Sequence, residues 1–175
     1  THINHDLSGF EDGTENPKGD AAEQTAIIQK GHAPEKGGSC WVLQAWQHDF
    51  DALGAMSQKQ KEAAIGRDLN DNHELEDAPP SAHLKRTEQE SFEPEAFLWR
   101  RSMPWSNDAL EGGLMFSAFA TNFTPFKKQL NRMLGEEDGI LDALFLFSRI
   151  LYTGYFFCPP CKDGRLQLAT YARSL

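Results

Sequence analysis

The chain has 175 residues, enough for one ordinary domain with a real core. Its apolar fraction of 39% and aromatic fraction of 11% exclude a disordered tail. The formal net charge of −9 would repel phosphate backbones and anionic lipid, and no apolar run nears the roughly 20 residues of a membrane span, so neither nucleic acid nor membrane is an expected partner.

Thr1-His2-Ile3-Asn4-His5 carries no Met and no charged-then-apolar leader pattern, which predicts a chain that begins inside a longer protein. Residues 1–38 are rich in Gly, Asp, Glu, Asn and Pro and read as a loop region, with a short ordered stretch from Ala21 to Lys30. Residues 39–175 read as the folded domain. Ser39 to His48, dense in Trp, Val and Leu, is predicted as a buried strand. Asp49 or Asp51 caps a helix through about Ile65, with Gly66 as its stop. Residues 67–95, acidic and interrupted by Pro79-Pro80, form a long loop, and loops of that length in a compact domain are usually functional.

Phe97 to Met103 and Gly112 to Ala120 are predicted as paired strands, with Pro104 to Glu111 as their turn. Thr124 caps a helix to about Leu134, closed by Gly135, and Asp138 caps another over Ile140 to Arg149. Tyr152 to Cys158 is the last strand. The order strand, helix, strand, strand, helix, strand predicts an α+β, ferredoxin-like split βαβ fold with a four-stranded antiparallel sheet. A strand as apolar on both faces as Gly112 to Ala120 cannot leave one side in water, so a cofactor, a partner domain or another subunit is expected to cover the sheet.

Three cysteines, Cys40, Cys158 and Cys161, cannot all pair within one chain and point to a reducing, cytoplasmic setting. Cys158-Pro159-Pro160-Cys161 has redox spacing, but Lys162-Asp163-Gly164 follows it as a turn where a redox site wants a helix N-terminus. The acids of the long loop lack the regular ligand spacing of a calcium loop. Asp12, between Gly9-Phe10-Glu11 and Gly13, is either an Asx-turn residue or a carboxylate aimed into a cleft. His83, after Pro79-Pro80-Ser81-Ala82, is either a solvated loop histidine or a ligand; His32, His48 and His73 lack a constraining context, and His2 and His5 are read as part of a frayed terminus. Arg100 and Ser102 share one face of their strand and Arg101 the other, so one face must shelter an arginine with a carboxylate or a reacting anion.

Together these residues match a family. Gly9-Phe10-Glu11-Asp12-Gly13-Thr14-Glu15-Asn16-Pro17 resembles the signature loop of dye-decolorising peroxidases. The likeness continues in order through Gly37-Gly38-Ser39, Ile65-Gly66-Arg67, His83-Leu84-Lys85-Arg86, Arg100-Arg101-Ser102-Met103-Pro104, Gly113-Leu114-Met115-Phe116 and Gly154-Tyr155-Phe156-Phe157. Its compact spacing is most similar to the bacterial branch. The family is built from two ferredoxin-like halves, in a dimeric α+β barrel arrangement, and the chain matches only the second.

The resemblance implies haem b against the sheet, with His83 as the iron ligand and Asp142 accepting from its other nitrogen. It implies Asp12 as the base that moves the peroxide proton, Arg100 as the charge beside the leaving oxygen, and Ser102 as a water-positioning hydroxyl. Leu114 and Phe116 would form an apolar ceiling, and Arg67 and Arg86 would meet the propionates. The implied reaction reduces hydrogen peroxide and oxidises dyes or small phenolic and aromatic donors. Large donors would be reached through aromatic residues such as Trp41, Trp99 or Tyr152, which at this density also serve as core. A homo-oligomer is implied, and an encapsulating shell protein is a further partner the family allows. Two other readings are haem storage, transfer or iron removal without turnover, and a non-catalytic interaction module.

Overall fold

A computed structural model of the chain describes residues 5–30 and 35–168; His2 and His32 and both ends of the sequence lie outside them. The elements run α1 (Asp20–Ala26), β1 (Ser39–His48), α2 (Phe50–Ala55), α3 (Gln58–Ile65), α4 (His83–Thr87), β2 (Trp99–Arg100), β3 (Met103–Ser106), β4 (Gly112–Ala120), α5 (Thr124–Met133), a 3₁₀ turn (Ala143–Leu146) and β5 (Ser148–Cys158), followed by a small hairpin, β6 (Cys161–Lys162) and β7 (Arg165–Leu166).

β1 is central. It pairs antiparallel with β4 on one side and β5 on the other, and β4 takes β2 and β3 on its far edge. Counting β2 and β3 as one strand interrupted at residues 101–102, this is the ferredoxin-like order, and the fold is α+β as predicted. The interruption does not shift the register: Arg100 faces Ala118 and Met103 faces Met115, three steps along each strand.

Strand alternation divides the side chains of the sheet. Val42, Ala118 and Ala120 join Leu98 and Phe126 in the main core, beneath α5. Phe126, Gln129 and Met133 recur at helical spacing and are the buried stripe of α5. On the opposite face Trp41 packs against Phe119 and Phe156. A second cluster, Leu53, Ala64 and Phe147, ties α2 and α3 to the 3₁₀ turn. Among the described residues no helix is long and apolar enough to cross a membrane.

Five elements differ from the sequence reading. The strand expected over Phe97 to Met103 is interrupted after Arg100, and its second part, β3, runs on to Ser106 through residues expected in the turn. The helix expected to run to Ile65 is broken at Met56–Ser57, because Ser57 and Gln60 form a capping box that starts a new helix. The long loop contains α4. Thr124 is the first helical residue of α5 rather than its cap; its N–H donates to Asn122 Oδ1 at 2.8 Å. Finally, no helix covers 140–149. Asp142 N donates to Met133 O and Ala143 N to Ser81 O, so these groups serve tertiary bonds, and β5 begins at Ser148.

Candidate functional site

A cavity lies between the sheet and the helices. The sheet contributes Gln44, Trp46, Arg100, Leu114 and Phe116, and α5 contributes Phe126, Leu130 and Met133. α4 packs against α3 and α5, and carries His83 and Leu84 to the cavity wall. The start of α4 is fixed by a close approach at Gly66. That residue has φ +94, and a Cβ there would stand 2.9 Å from Leu84 Cβ and 3.3 Å from Ala82 Cβ. Only glycine meets both demands at this position.

His83 Nδ1 lies 2.8 Å from Asp142 Oδ2. Asp142 is 1% exposed, and its other oxygen accepts from Leu144 N at 2.8 Å, capping the 3₁₀ turn. A carboxylate only accepts, so in the neutral imidazole Nδ1 carries the proton and Nε2 keeps the lone pair. The His83 side chain is 27% exposed, enough to offer that lone pair to the cavity.

Asp12 reaches the same cavity from the loop before α1. Its Oδ2 accepts from Ser102 N at 3.3 Å. Arg100 also lines it, and its buried Nε has no hydrogen-bond partner among the described residues. No described carboxylate forms an ion pair with Arg100, although an orphaned buried donor costs about 1–3 kcal/mol. Its backbone is clamped: Asn16 Nδ2 donates to Arg100 O at 2.7 Å and Arg100 N donates to Asn16 Oδ1 at 2.8 Å. Leu114 and Phe116, on the neighbouring strand β4, line the same cavity.

Two expected site residues, Ser102 and Arg86, stand away from the cavity, and a third, Arg67, reaches it already paired. The Ser102 side chain, in a residue 1% exposed, does not line the cavity; its hydroxyl accepts from Ser117 N, and its backbone N–H donates to Asp12. Arg86 is removed from the site. Its guanidinium is spent on both oxygens of Asp138 and on Arg132 O, and it does not line the cavity. Arg67 does border the cavity, but it already holds Glu15 and Glu74, whose charges offset the one it would offer an anion. The redox reading of the cysteines finds no support either, since burial pushes the Cys158 thiol up, opposite to an activated thiolate.

The sequence reading missed a polar corner of the cavity formed by Asp6, His48 and Ser148. The signal was present in the alternation: Gln44, Trp46 and His48 share the strand face that meets the cavity.

Among the described residues no group of three His, Cys, Asp or Glu side chains stands ready for a bare metal ion. A single open imidazole nitrogen would suit a metal that brings its other ligands with it. The partnerless Arg100 Nε and the Asp12 carboxylate, at the same apolar space, suit an anion or a proton transfer there.

Comparison with known proteins gives the same direction. Residues 3–163 match the family model described as Dyp-type peroxidase, C-terminal. The dye-decolorizing peroxidase of Mycolicibacterium paratuberculosis is 35% identical over 164 residues, which is 89% of this chain and 46% of that protein. Among solved structures, a dye-decolorizing protein from V. cholerae superposes with a TM-score of 0.81 at 33% identity, over 89% of this chain and 52% of the other. A variant of DypB from Rhodococcus jostii RHA1, in complex with heme, gives a TM-score of 0.81 at 31% identity with the same coverage. The chain thus spans about half the length of the relatives it matches.

Proposed function

This chain belongs to the Dyp-type peroxidase family, whose C-terminal model covers residues 3–163, and from that premise we propose that it binds haem b and reduces hydrogen peroxide at the expense of small phenolic or aromatic donors. The observation that carries the reading is the union at one cavity of a histidine with its Nδ1 held by a buried carboxylate and an arginine Nε without a partner.

His83 would hold the iron through Nε2, with Asp142 fixing the ring and raising its basicity. Haem, when bound, supplies the redox-active iron at which peroxide is reduced. Asp12 takes the proton from one peroxide oxygen and returns it to the other, which leaves as water. Arg100 sets positive charge beside that leaving oxygen. Leu114 and Phe116 keep bulky molecules out of the space, so large donors would give up electrons from outside it. Arg67, neutralised by two glutamates, is a weak candidate for a propionate.

The alternative, a haem carrier without turnover, would need neither Asp12 nor Arg100 at the cavity. The test is steady-state oxidation of a small phenol by the haem-loaded chain and peroxide. Turnover that falls in both Asp12→Ala and Arg100→Leu supports the peroxidase. Stable haem binding with no peroxide-dependent oxidation would support the carrier.

A further inference from the structure

The loop that carries Asp12 is tied to the sheet at two points. After Asp12, the Asn16 amide exchanges two hydrogen bonds with the Arg100 backbone. Before it, Asp6 Oδ2 lies 2.8 Å from His48 Nε2. His48 ends β1 and is 6% exposed, and its Nδ1 bonds to the hydroxyl of Ser148, the first residue of β5. With both ring nitrogens engaged, the imidazole cannot turn without breaking a bond.

Asp6 in turn organises the chain up to Phe10. Its Oδ2 accepts from Ser8 Oγ at 2.6 Å and from Ser8 N at 3.2 Å. Its N–H donates to Phe10 O at 2.8 Å and its carbonyl accepts from Gly9 N at 2.9 Å. Phe10 is 7% exposed and anchors the turn in the protein, and Asp12 follows two residues later. Among the described residues the Asp12 carboxylate itself accepts one hydrogen bond, from Ser102 N at 3.3 Å. Asn72 holds Glu11 and Thr14 on either side of Asp12, and Arg67 holds Glu15, so the placement of Asp12 depends on these contacts together with the turn before it.

We infer that His48 is a positioning residue: through Asp6 it fixes the Asp6–Phe10 turn, and so sets where the Asp12 carboxylate stands in the cavity. The inference rests on the role given to Asp12 above. An apolar contact would hold the turn against the sheet but leave its rotation free. A carboxylate and a hydroxyl on opposite nitrogens of one ring fix the direction as well.

The test uses two substitutions and two readouts. His48→Phe keeps a flat ring and loses both bonds; His48→Gln keeps an N–H that reaches Asp6. Hydrogen exchange in the haem-free protein is followed over residues 7–16, with residues 112–120 as the internal control. His48→Phe should speed exchange over residues 7–16 by about tenfold, the equivalent of one lost hydrogen bond, and leave the control unchanged. In the haem-loaded protein it should slow the reaction with peroxide by about 10- to 100-fold, the scale of a 1 Å misplacement, while the haem spectrum stays the same. His48→Gln should bring both readouts back to within about threefold of wild type. Should His48→Phe not fold, Ser148→Ala frees Nδ1 alone and is expected to give a smaller rise in the same segment. Unchanged exchange over 7–16 overturns the inference, as does faster exchange with an unchanged peroxide rate. A wild-type chain that never reacts with peroxide defeats the proposed function instead, whereas a reactive wild type matched by His48→Phe defeats this inference alone.

Discussion

Asp142 Oδ2 and His83 Nδ1 stand 2.8 Å apart across 59 residues of sequence. The second oxygen of Asp142 caps the 3₁₀ turn that follows it, and the neighbouring Ala143 N donates to Ser81 O, two residues before the histidine. The carboxylate is thus set by the backbone on both sides of the contact and cannot follow the histidine if it moves. Asp142→Asn leaves the size unchanged and removes the charge. It is expected to weaken hemin affinity by about 10- to 100-fold, the usual cost of losing the carboxylate behind a ligand histidine. Spectrophotometric hemin titration checks this, and an affinity equal to wild type would mean that Asp142 is only a helix cap.

Arg100 and Asp12 act by different physics, so their losses should differ. Arg100→Leu removes a guanidinium whose Nε has no partner among the described residues, so the apo protein should be no less stable than wild type in thermal unfolding. With haem bound, the peroxide reaction should slow by about 100- to 1000-fold. Asp12→Ala should be the milder change, because water can carry part of the proton transfer. Stopped-flow mixing of each variant with peroxide decides the order, and a near-wild-type rate in Arg100→Leu beside a slow Asp12→Ala would reverse it.

Gly66 joins the stability of the fold to the site. Gly66→Ala puts a side chain at φ +94 and brings its Cβ to 2.9 Å from Leu84. The expected cost is about 1–3 kcal/mol in urea unfolding, with displacement of the segment that carries His83. A variant as stable as wild type would show that α3 and α4 can separate freely.

Acid should loosen the signature loop. Burial pushes the Asp6 carboxyl up, but the hydrogen bond and charge of His48, with the Ser8 hydroxyl, hold it on balance below its ordinary value of 3.8. Folded Asp6 therefore binds its proton more weakly than unfolded Asp6. Its contribution to stability is complete above 3.8 and is lost as the pH falls through the lower folded value. Thermal unfolding between about pH 6 and pH 2 should show a shallower acid decline in Asp6→Asn than in wild type. Identical declines would contradict the pairing with His48.

Much of the fold was legible because alternation and turn residues are local signals. Ser39 to His48 and Gly112 to Ala120 emerged with their predicted bounds, and Gly66 ended its helix as its position suggested. The missing helix over 140–149 was not legible, since what displaces it is a set of bonds to Met133 and Ser81 that no window of sequence contains. The surroundings of Ser102 were not legible for a similar reason: its hydroxyl accepts from Ser117 N across the sheet. Arg86 looked like Arg67 in sequence, and its long-range partners, Asp138 and the Arg132 carbonyl, separate their placement. His48 was passed over because its partners, Asp6 and Ser148, lie on either side of it at long range.

The central claim is that His83 is the iron ligand, and the most direct measurement is the absorption spectrum of the chain titrated with hemin, for wild type and His83→Ala. Wild type should develop a Soret band and ferric bands of a histidine-ligated haem at one equivalent. His83→Ala should lose that signature, because no other described histidine at the cavity leaves a ring nitrogen open: His48 has both engaged. A histidine-ligated ferric spectrum that survives in His83→Ala would contradict the account.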